Sequence, residues 1–134
     1  MPRWSPDGRS VAYERETPDL SIVVRRLDGS VAPLVIPITG GTAAFAFTLD
    51  GTSIIVAGHE GDGLDLHAIP LAGAPPAPVA VMEATFLPGL PISPDGRWIA
   101  FTSVANNAPR ITVARLVQGA AGPALGAQRA VVAV

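Results

Sequence analysis

The chain has 134 residues, a formal net charge of −2, 15% charged residues and no cysteine. This balance supplies no basic surface for nucleic acid and no polybasic signal for a membrane, so we expect no nucleic-acid partner and no membrane insertion. Without cysteine, neither a disulfide framework nor a thiolate metal site is available. Fourteen prolines and fourteen glycines beside 49% hydrophobic residues predict an all-β chain of short strands and turns.

A turn of one type occurs three times along the chain. Ser5-Pro6-Asp7-Gly8 and Ser93-Pro94-Asp95-Gly96 are identical, and Thr48-Leu49-Asp50-Gly51 keeps the hydroxyl, the aspartate and the glycine. These residue types suit a type I turn, in which proline presets φ and glycine takes the left-handed position that closes a bulged hairpin. The first residues of the turns lie 43 and 45 positions apart, a period typical of repeats that each form one propeller blade. We therefore assign a structural role to Ser5, Pro6, Asp7, Gly8, Asp50, Gly51, Ser93, Pro94, Asp95 and Gly96.

The first repeat contains four predicted strands, because apolar and polar residues alternate in short runs between turn residues. The strands are predicted at residues 2–4, 9–14, 21–27 and 31–38. Thr17-Pro18-Asp19 breaks the chain after the second strand, and Asp28-Gly29 is a second hairpin signal. Pro33 and Pro37 lie in the fourth strand, and since proline cannot donate to a ladder, we expect this strand at the edge of the sheet.

The second and third repeats follow the same order. Strands are predicted at residues 42–47, 52–58, 64–71 and 79–85 in the second repeat and at 90–92, 97–103, 110–116 and 128–134 in the third. Turns or loops are predicted at residues 40–41, 59–63, 72–73, 75–78, 106–109 and 118–119. We therefore place blade 1 at about residues 1–40, blade 2 at about 41–88 and blade 3 at about 89–134.

Residues 2–13 and 91–103, each built around a Ser-Pro-Asp-Gly turn, resemble the WD-like repeat of TolB-type β-propellers. The same repeat is found in the propellers of prolyl-oligopeptidase-type peptidases and in sensor domains of some bacterial protein kinases. The resemblance extends over nearly the whole chain and is weaker in the second repeat, where Leu49 replaces the turn proline. It implies a six- or seven-bladed ring in an intact family member, whereas this chain has about three four-stranded antiparallel blades.

Three blades leave an unpaired sheet face at each end of the arc, and such surfaces seldom stay exposed. Further blades of a longer parent chain would cover both faces, and the short first strand favours this interpretation. A homodimer that closes a six-bladed ring would cover them as well. Because Met1 leads almost directly into the first turn, no signal peptide is expected in this chain. The expected location is cytoplasmic for a complete protein and periplasmic or extracytoplasmic for a piece of a TolB-like parent.

The densest polar cluster spans residues 59–67 and includes two histidines and three carboxylates. A metal site there would use His59, Asp62, Asp65 and His67, since imidazole and carboxylate groups bind divalent cations. The spacing matches neither the helical zinc pattern nor the calcium-loop pattern. We therefore favour a solvated hairpin loop, and we predict no bound metal and no cofactor.

Arginines on the third strands, at positions 25, 26, 110 and 115, form a weaker candidate site. Arg26 and Arg115 directly precede the leucine that closes their strands, and a ring of such residues would suit an anion. The second repeat has Pro70 at that place, so we expect solvated or neighbour-paired arginines instead. Aromatic residues cluster around the turns and are expected in the core between blades, with exposure near an open blade face. They are Trp4, Tyr13, Phe45, Phe47, Phe86, Trp98 and Phe101.

No catalytic signature occurs in the sequence. The Gly-x-Ser-x-Gly, His-Glu-x-x-His, Walker and dinucleotide-binding patterns are all absent, so we predict no catalytic residue and no enzymatic activity for this chain. The leading hypothesis is a non-catalytic scaffold whose loop face or central channel binds a protein or a small ligand. The alternative is a piece of the propeller domain of a prolyl-oligopeptidase-type serine peptidase or of a bacterial kinase sensor domain.

Overall fold

The computed structural model describes residues 1–38, 42–60, 63–72, 77–82, 84–85, 90–119 and 122–133. Within these ranges all regular structure is strand, arranged as three four-stranded antiparallel sheets. This confirms the predicted all-β class and the division into four-stranded blades. The described part of the chain contains no helix that could cross a bilayer.

The first sheet has the order β1-β2-β3-β4. Its strands are β1 (Arg3–Trp4), β2 (Ser10–Arg15), β3 (Ser21–Arg26) and β4 (Leu34–Pro37). β4 pairs with β3 alone and lies at the edge of the sheet, as predicted. It begins at Leu34 and not at residue 31, so the predicted strand is too long. Pro33 has no N–H to donate, and the ladder starts directly after it.

The second sheet has the order β5-β6-β7-β8. Its strands are β5 (Thr42–Phe47), β6 (Ser53–Glu60), β7 (Gly63–Pro70) and β8 (Ala77–Met82). The loop predicted at residues 59–63 is too long, because the pairing of β6 with β7 continues as far as Glu60 and Gly63. Continued pairing satisfies backbone groups that a loop would leave to water. The predicted turn or loop residues 40–41, 61–62, 73 and 75–76 lie outside the described residues. Residues 77–78, predicted as part of a connection, belong to β8 instead.

The third sheet has the order β12-β11-β10-β9. Its strands are β9 (Ala84–Thr85), β10 (Trp98–Ala105), β11 (Ala108–Gly119) and β12 (Gly122–Ala133). β9 pairs with β10, so residues 84–85 belong to this sheet and not to the edge strand of the second, where we predicted them. The strand predicted at residues 90–92 is reduced to a single bridge between Ile92 and Ile99.

Two predicted connections in the third repeat are wrong. The loop predicted at residues 106–109 is only Asn106 and Asn107, whose φ angles of 52° and 59° are those of a two-residue type I′ hairpin. The turn predicted at residues 118–119 belongs to β11, where Gly119 pairs with Gly122. β12 accordingly starts at residue 122 and not at 128. Glycine and alanine carry no hydrophobic period, so the sequence pattern does not reveal these strand extensions.

The second sheet is buried on both faces. One face packs Phe45, Ile54 and Val56 against Ala12 and Ile22 of the first sheet. The opposite face packs its own residues against the third sheet in a separate cluster, whose buried members are Ala44, Ile55, Ala57, Leu66, Leu90, Ile99, Phe101 and Ala114. The three sheets are therefore stacked in chain order like neighbouring blades of a propeller.

The aromatic residues follow the predicted division between core and open face. Phe45, Phe47 and Phe101 are buried between sheets, as expected for large apolar side chains. Trp4, at the open side of the first sheet, is 64% exposed. Phe86 lies outside the described residues.

Candidate functional site

The first repeated turn is held by a compact set of hydrogen bonds. The Ser5 Oγ donates to Asp7 Oδ1 at 2.6 Å, and the same carboxylate oxygen accepts from the Arg9 N–H at 3.0 Å. The Ser10 N–H donates to the Ser5 Oγ at 2.9 Å. The Gly8 N–H donates to the Ser5 carbonyl at 2.9 Å, and Gly8 has a φ of 69°. A left-handed residue is required here, and glycine adopts that conformation without a steric penalty.

The other two turns repeat this arrangement. The hydroxyls of Thr48 and Ser93 donate to Asp50 and Asp95 at 2.7 and 2.5 Å. The third turn has glycine at the same left-handed place, with a φ of 70° at Gly96. Each carboxylate is therefore used inside its own hairpin. A ring of acids at these positions would have to give up those bonds before it could bind a ligand.

The hydrogen bonds also set the ionisation of the turn carboxylates. The pKa of Asp7 is lowered from 3.8, first by the Ser5 hydroxyl and then by the Arg9 N–H. The pKa values of Asp50 and Asp95 are lowered in the same way, chiefly by the hydroxyls of Thr48 and Ser93. Because a carboxylate is a better acceptor than a carboxylic acid, these bonds favour the ionised form.

The three turns are also in contact with one another in a row. A Cβ atom on Gly51 would come within 3.8 Å of the Pro6 Cδ, and one on Gly96 would overlap the side chain of Leu49. The second residue of the first turn thus lies against the glycine of the second turn, and the second residue of the second turn lies against the glycine of the third. Gly8, in the first turn, has nothing within 4 Å of the corresponding position.

The polar cluster predicted at residues 59–67 is divided by the strand register. His67 pairs with Val56 and Asp65 with Gly58, whereas His59 pairs with Leu64. Since alternate positions of a strand belong to opposite faces, the positions of Asp65 and His67 share one row and that of His59 belongs to the other. Asp62 lies outside the described residues, and among those described no three His, Cys, Asp or Glu residues are grouped as a metal site requires.

The predicted correspondence between Arg26, Pro70 and Arg115 agrees with the register. They pair with Ser10, Ser53 and Trp98, the fifth residues after the starts of the three turns. Arg26 Nε lies 3.5 Å from Asp28 Oδ2. On the third sheet the guanidinium of Arg129 lies 5.7 Å from the centre of the Trp98 ring, within the range of a cation–π contact. A ring of arginines for an anion would therefore be interrupted by Pro70, and Asp28 lies beside Arg26.

No sheet of the described chain packs on the two outer sheet faces. On the first sheet the face turned away from the second sheet has Trp4, Val11, Tyr13 and Val35, and Val35 is 43% exposed. On the third sheet the corresponding outer face has Trp98, Ala100, Ile111, Val113 and Val117. We call these surfaces the first outer face and the third outer face. Each face also has two arginines, Arg15 and Arg25 on the first and Arg115 and Arg129 on the third. The exposed apolar side chains among them are typical of interaction surfaces.

The chain was compared with known proteins by sequence and by fold. No protein-family profile and no curated protein matches it. Among solved structures, a candidate TolB from Agrobacterium tumefaciens is similar, with a TM-score of 0.66 and 22% identity over 85% of this chain and 41% of that one. TolB from Acinetobacter baumannii is also similar, with a TM-score of 0.66 and 17% identity over 97% of this chain and 39% of that one.

A third similar structure is a candidate 6-phosphogluconolactonase from Bacteroides uniformis, with a TM-score of 0.57 and 14% identity over 97% of this chain and 42% of that one. The chain thus spans about two fifths of the length of the solved structures it matches. At this level of identity the likeness concerns the fold alone. The stacked four-stranded sheets therefore have the fold of part of a TolB-like β-propeller.

Proposed function

We propose that this chain is a non-catalytic β-propeller module that binds a protein or a small ligand. The observation that carries the proposal is a contrast between the two ends of the stacked sheets. At one end the same turn occurs three times, and its polar groups are used within the turn. We call this the turn end. Side chains already committed to their own hairpins contribute little to recognition of a partner.

At the opposite end, the connection in the first sheet differs in length from that in the third. In the first sheet five residues, 16–20, join β2 to β3, and residues 16–19 are exposed. In the third sheet only Asn106 and Asn107 join β10 to β11, and both are exposed. We call these connections the loop end. Binding residues are often found on loops of different length that a rigid scaffold holds in place, so the partner is expected there.

Site-specific photo-crosslinking in the host cell tests this location. The exposed Glu16 of the loop end is replaced by p-benzoylphenylalanine, and a matched chain has the same replacement at the exposed Arg97 of the turn end. The Arg97 side chain makes none of the turn's hydrogen bonds, because only its N–H is used. Adducts of defined mass are expected from position 16 and not from position 97. Equal labelling, or none from position 16, would overturn the assignment of the loop end.

The absence of catalysis is tested with the purified chain. The substrates are 6-phosphogluconolactone, which is suggested by one structural neighbour, an activated ester and a proline-containing peptide. The expected hydrolysis rate is that of buffer alone, because the turn carboxylates are engaged and no catalytic motif occurs in the sequence. Turnover that follows the protein through purification and is lost on heat denaturation would contradict the proposal.

A further inference from the structure

We infer that the first outer face of one copy of this chain binds the third outer face of a second copy, so that two copies close a six-bladed ring. The inference rests on the propeller interpretation in the proposed function, and it adds the partner and the way in which it docks. Four observations support it. The residues equivalent to the first face are buried against a preceding sheet, and those equivalent to the third face are buried against a following sheet. The repeated turns contact one another from blade to blade, and two copies together supply six blades.

The residues of the second and third sheets that are equivalent to those of the first outer face are buried. Val11 is the sixth residue after the start of its turn, and its equivalents Ile54 and Ile99 are completely buried. The equivalents of Tyr13 are Val56 and Phe101, and both are 5% exposed. In the second and third sheets this surface packs on the preceding sheet. The first outer face therefore has the residues of a face that receives a preceding blade.

The third outer face corresponds to the other side of the contact between neighbouring sheets. The equivalents of Ala100 are Ala12 and Ile55, and both are completely buried against the following sheet. Val113 pairs with Ala100 as Val24 pairs with Ala12. The third outer face thus corresponds to surfaces that pack on a following blade. Within the three sheets these two outer faces lie at opposite ends of the stack and cannot meet, whereas the first face of one copy can meet the third face of another.

The row of turns specifies how the two faces meet. Pro6 lies against Gly51 and Leu49 against Gly96, each time from one blade to the next. Pro94 is exposed, and Gly8 has open space where a Cβ would lie. If the row continues between copies, Pro94 of one copy meets Gly8 of the other. The docking therefore extends a contact that already exists twice inside the chain.

The number of blades favours two copies. Propellers usually have about four to eight blades, so two copies with three sheets each give a ring of permitted size, whereas three copies would exceed it. A two-fold arrangement also buries both outer faces of both chains at once, which is the usual way in which identical chains close an assembly. Further blades, of a longer parent chain or of another polypeptide, are the competing occupant, and the experiment below distinguishes them from a second copy.

The experiment measures the solution mass of the full 134-residue chain and its variants by light scattering coupled to gel filtration. The wild type is expected at twice 13.7 kDa. Val11→Asp on the first outer face and Ala100→Glu on the third are each expected to give monomers. Val31→Asp is the matched control, because Val31 is 58% exposed in the connection before β4 and belongs to neither face. This control is expected to stay dimeric.

Mixing the two monomeric variants tests which face meets which. In the mixture one interface combines the intact first face of Ala100→Glu with the intact third face of Val11→Asp, so heterodimers are expected to form. If the first faces paired with each other, Ala100→Glu alone would remain dimeric, and the inference would be wrong. Circular dichroism checks that the variants keep their strand signal, and Tyr13→Glu replaces Val11→Asp if that variant is unfolded.

A monomeric wild type would overturn the inference and would leave the outer faces to further blades, either of a longer parent chain or of another polypeptide. That result leaves the proposed function intact if Glu16 crosslinking still occurs at the loop end. Conversely, a dimer with the expected variant pattern but no crosslink from position 16 would support the ring and contradict the loop-end assignment. The two proposals can therefore fail separately.

Discussion

At each repeated turn, one carboxylate oxygen accepts a hydrogen bond from the hydroxyl two residues before it and another from the N–H two residues after it. In the first turn the donors are Ser5 and Arg9. Such hydrogen bonds to an ionised group are stronger than those between neutral groups. They explain why the same residue types recur at this place, and they link the stability of the hairpins to pH.

Stability is predicted to fall in acid. The folded-state pKa values of Asp7, Asp50 and Asp95 lie below the unfolded value of 3.8, so their contribution is present above that value and is lost as the pH falls through the folded-state values. The melting temperature, measured by circular dichroism between pH 6 and pH 2, should therefore decrease most below about pH 4. A chain with asparagine at all three positions should show a smaller decrease, and Asp19→Asn serves as the control outside the turns. An unchanged slope in the triple variant would contradict the explanation.

Gly96 is predicted to be less replaceable than Gly29. Both glycines have positive φ angles, 70° and 69°, so alanine at either place costs about 1 kcal/mol from the backbone alone. A Cβ at Gly96 would also overlap Leu49, whereas Gly29 has open space. Gly96→Ala should therefore lower the free energy of unfolding more than Gly29→Ala, as measured by urea denaturation. Adding Leu49→Gly to Gly96→Ala should recover part of the difference, and equal losses at the two glycines would refute the contact.

Strands and hairpins could be predicted where the residues have a clear pattern. β5 is predicted with its observed bounds because it lies between two turn signals, at residues 40–41 and 48–51. β11 and β12 are much longer than predicted, because their outer parts contain glycine and alanine and have no apolar period. Pairing between neighbouring strands, and not the propensity of single residues, determines how far these strands extend.

The middle sheet should be sensitive to small core changes. Ile55 is completely buried between the second and third sheets, so Ile55→Val should lower the free energy of unfolding by about 1 kcal/mol. Leu27→Ala is the control, because Leu27 is 56% exposed and its truncation should change stability by less than about 0.5 kcal/mol. Urea denaturation measures both values. A larger loss at Leu27 than at Ile55 would show that the sheets do not stack as described.

At the largest scale, the described chain is a stack of three sheets with a buried centre and two outer faces on which no further sheet packs. Its likeness to TolB structures concerns about two fifths of their length. The blades repeat one hydrogen-bonded turn at one end, and at the other end the first sheet has a longer connection than the third. The first end is consistent with a constant framework, and the second is where we place recognition of a partner.

Thermal stability is predicted to depend on protein concentration. If two copies close a ring through the outer faces, association stabilises the folded chain by mass action, and the melting temperature rises with concentration. Val11→Asp should melt at a temperature that does not change with concentration, whereas Val31→Asp should behave like the wild type. Calorimetry over a hundredfold range of concentration makes the comparison. A wild-type melting temperature that is independent of concentration would count against the dimer.

The sequence by itself determined the strand class, the three repeats and their hairpin turns, because those features depend on residues close together in the chain. Residue type alone indicates where φ must be positive and where a ladder cannot continue. Only the tertiary structure decided that His59 and His67 occupy opposite rows, that residues 84–85 join the third sheet, and which residues form the outer faces. These facts depend on strand register and on the packing of sheets, which bring together residues that are distant in sequence.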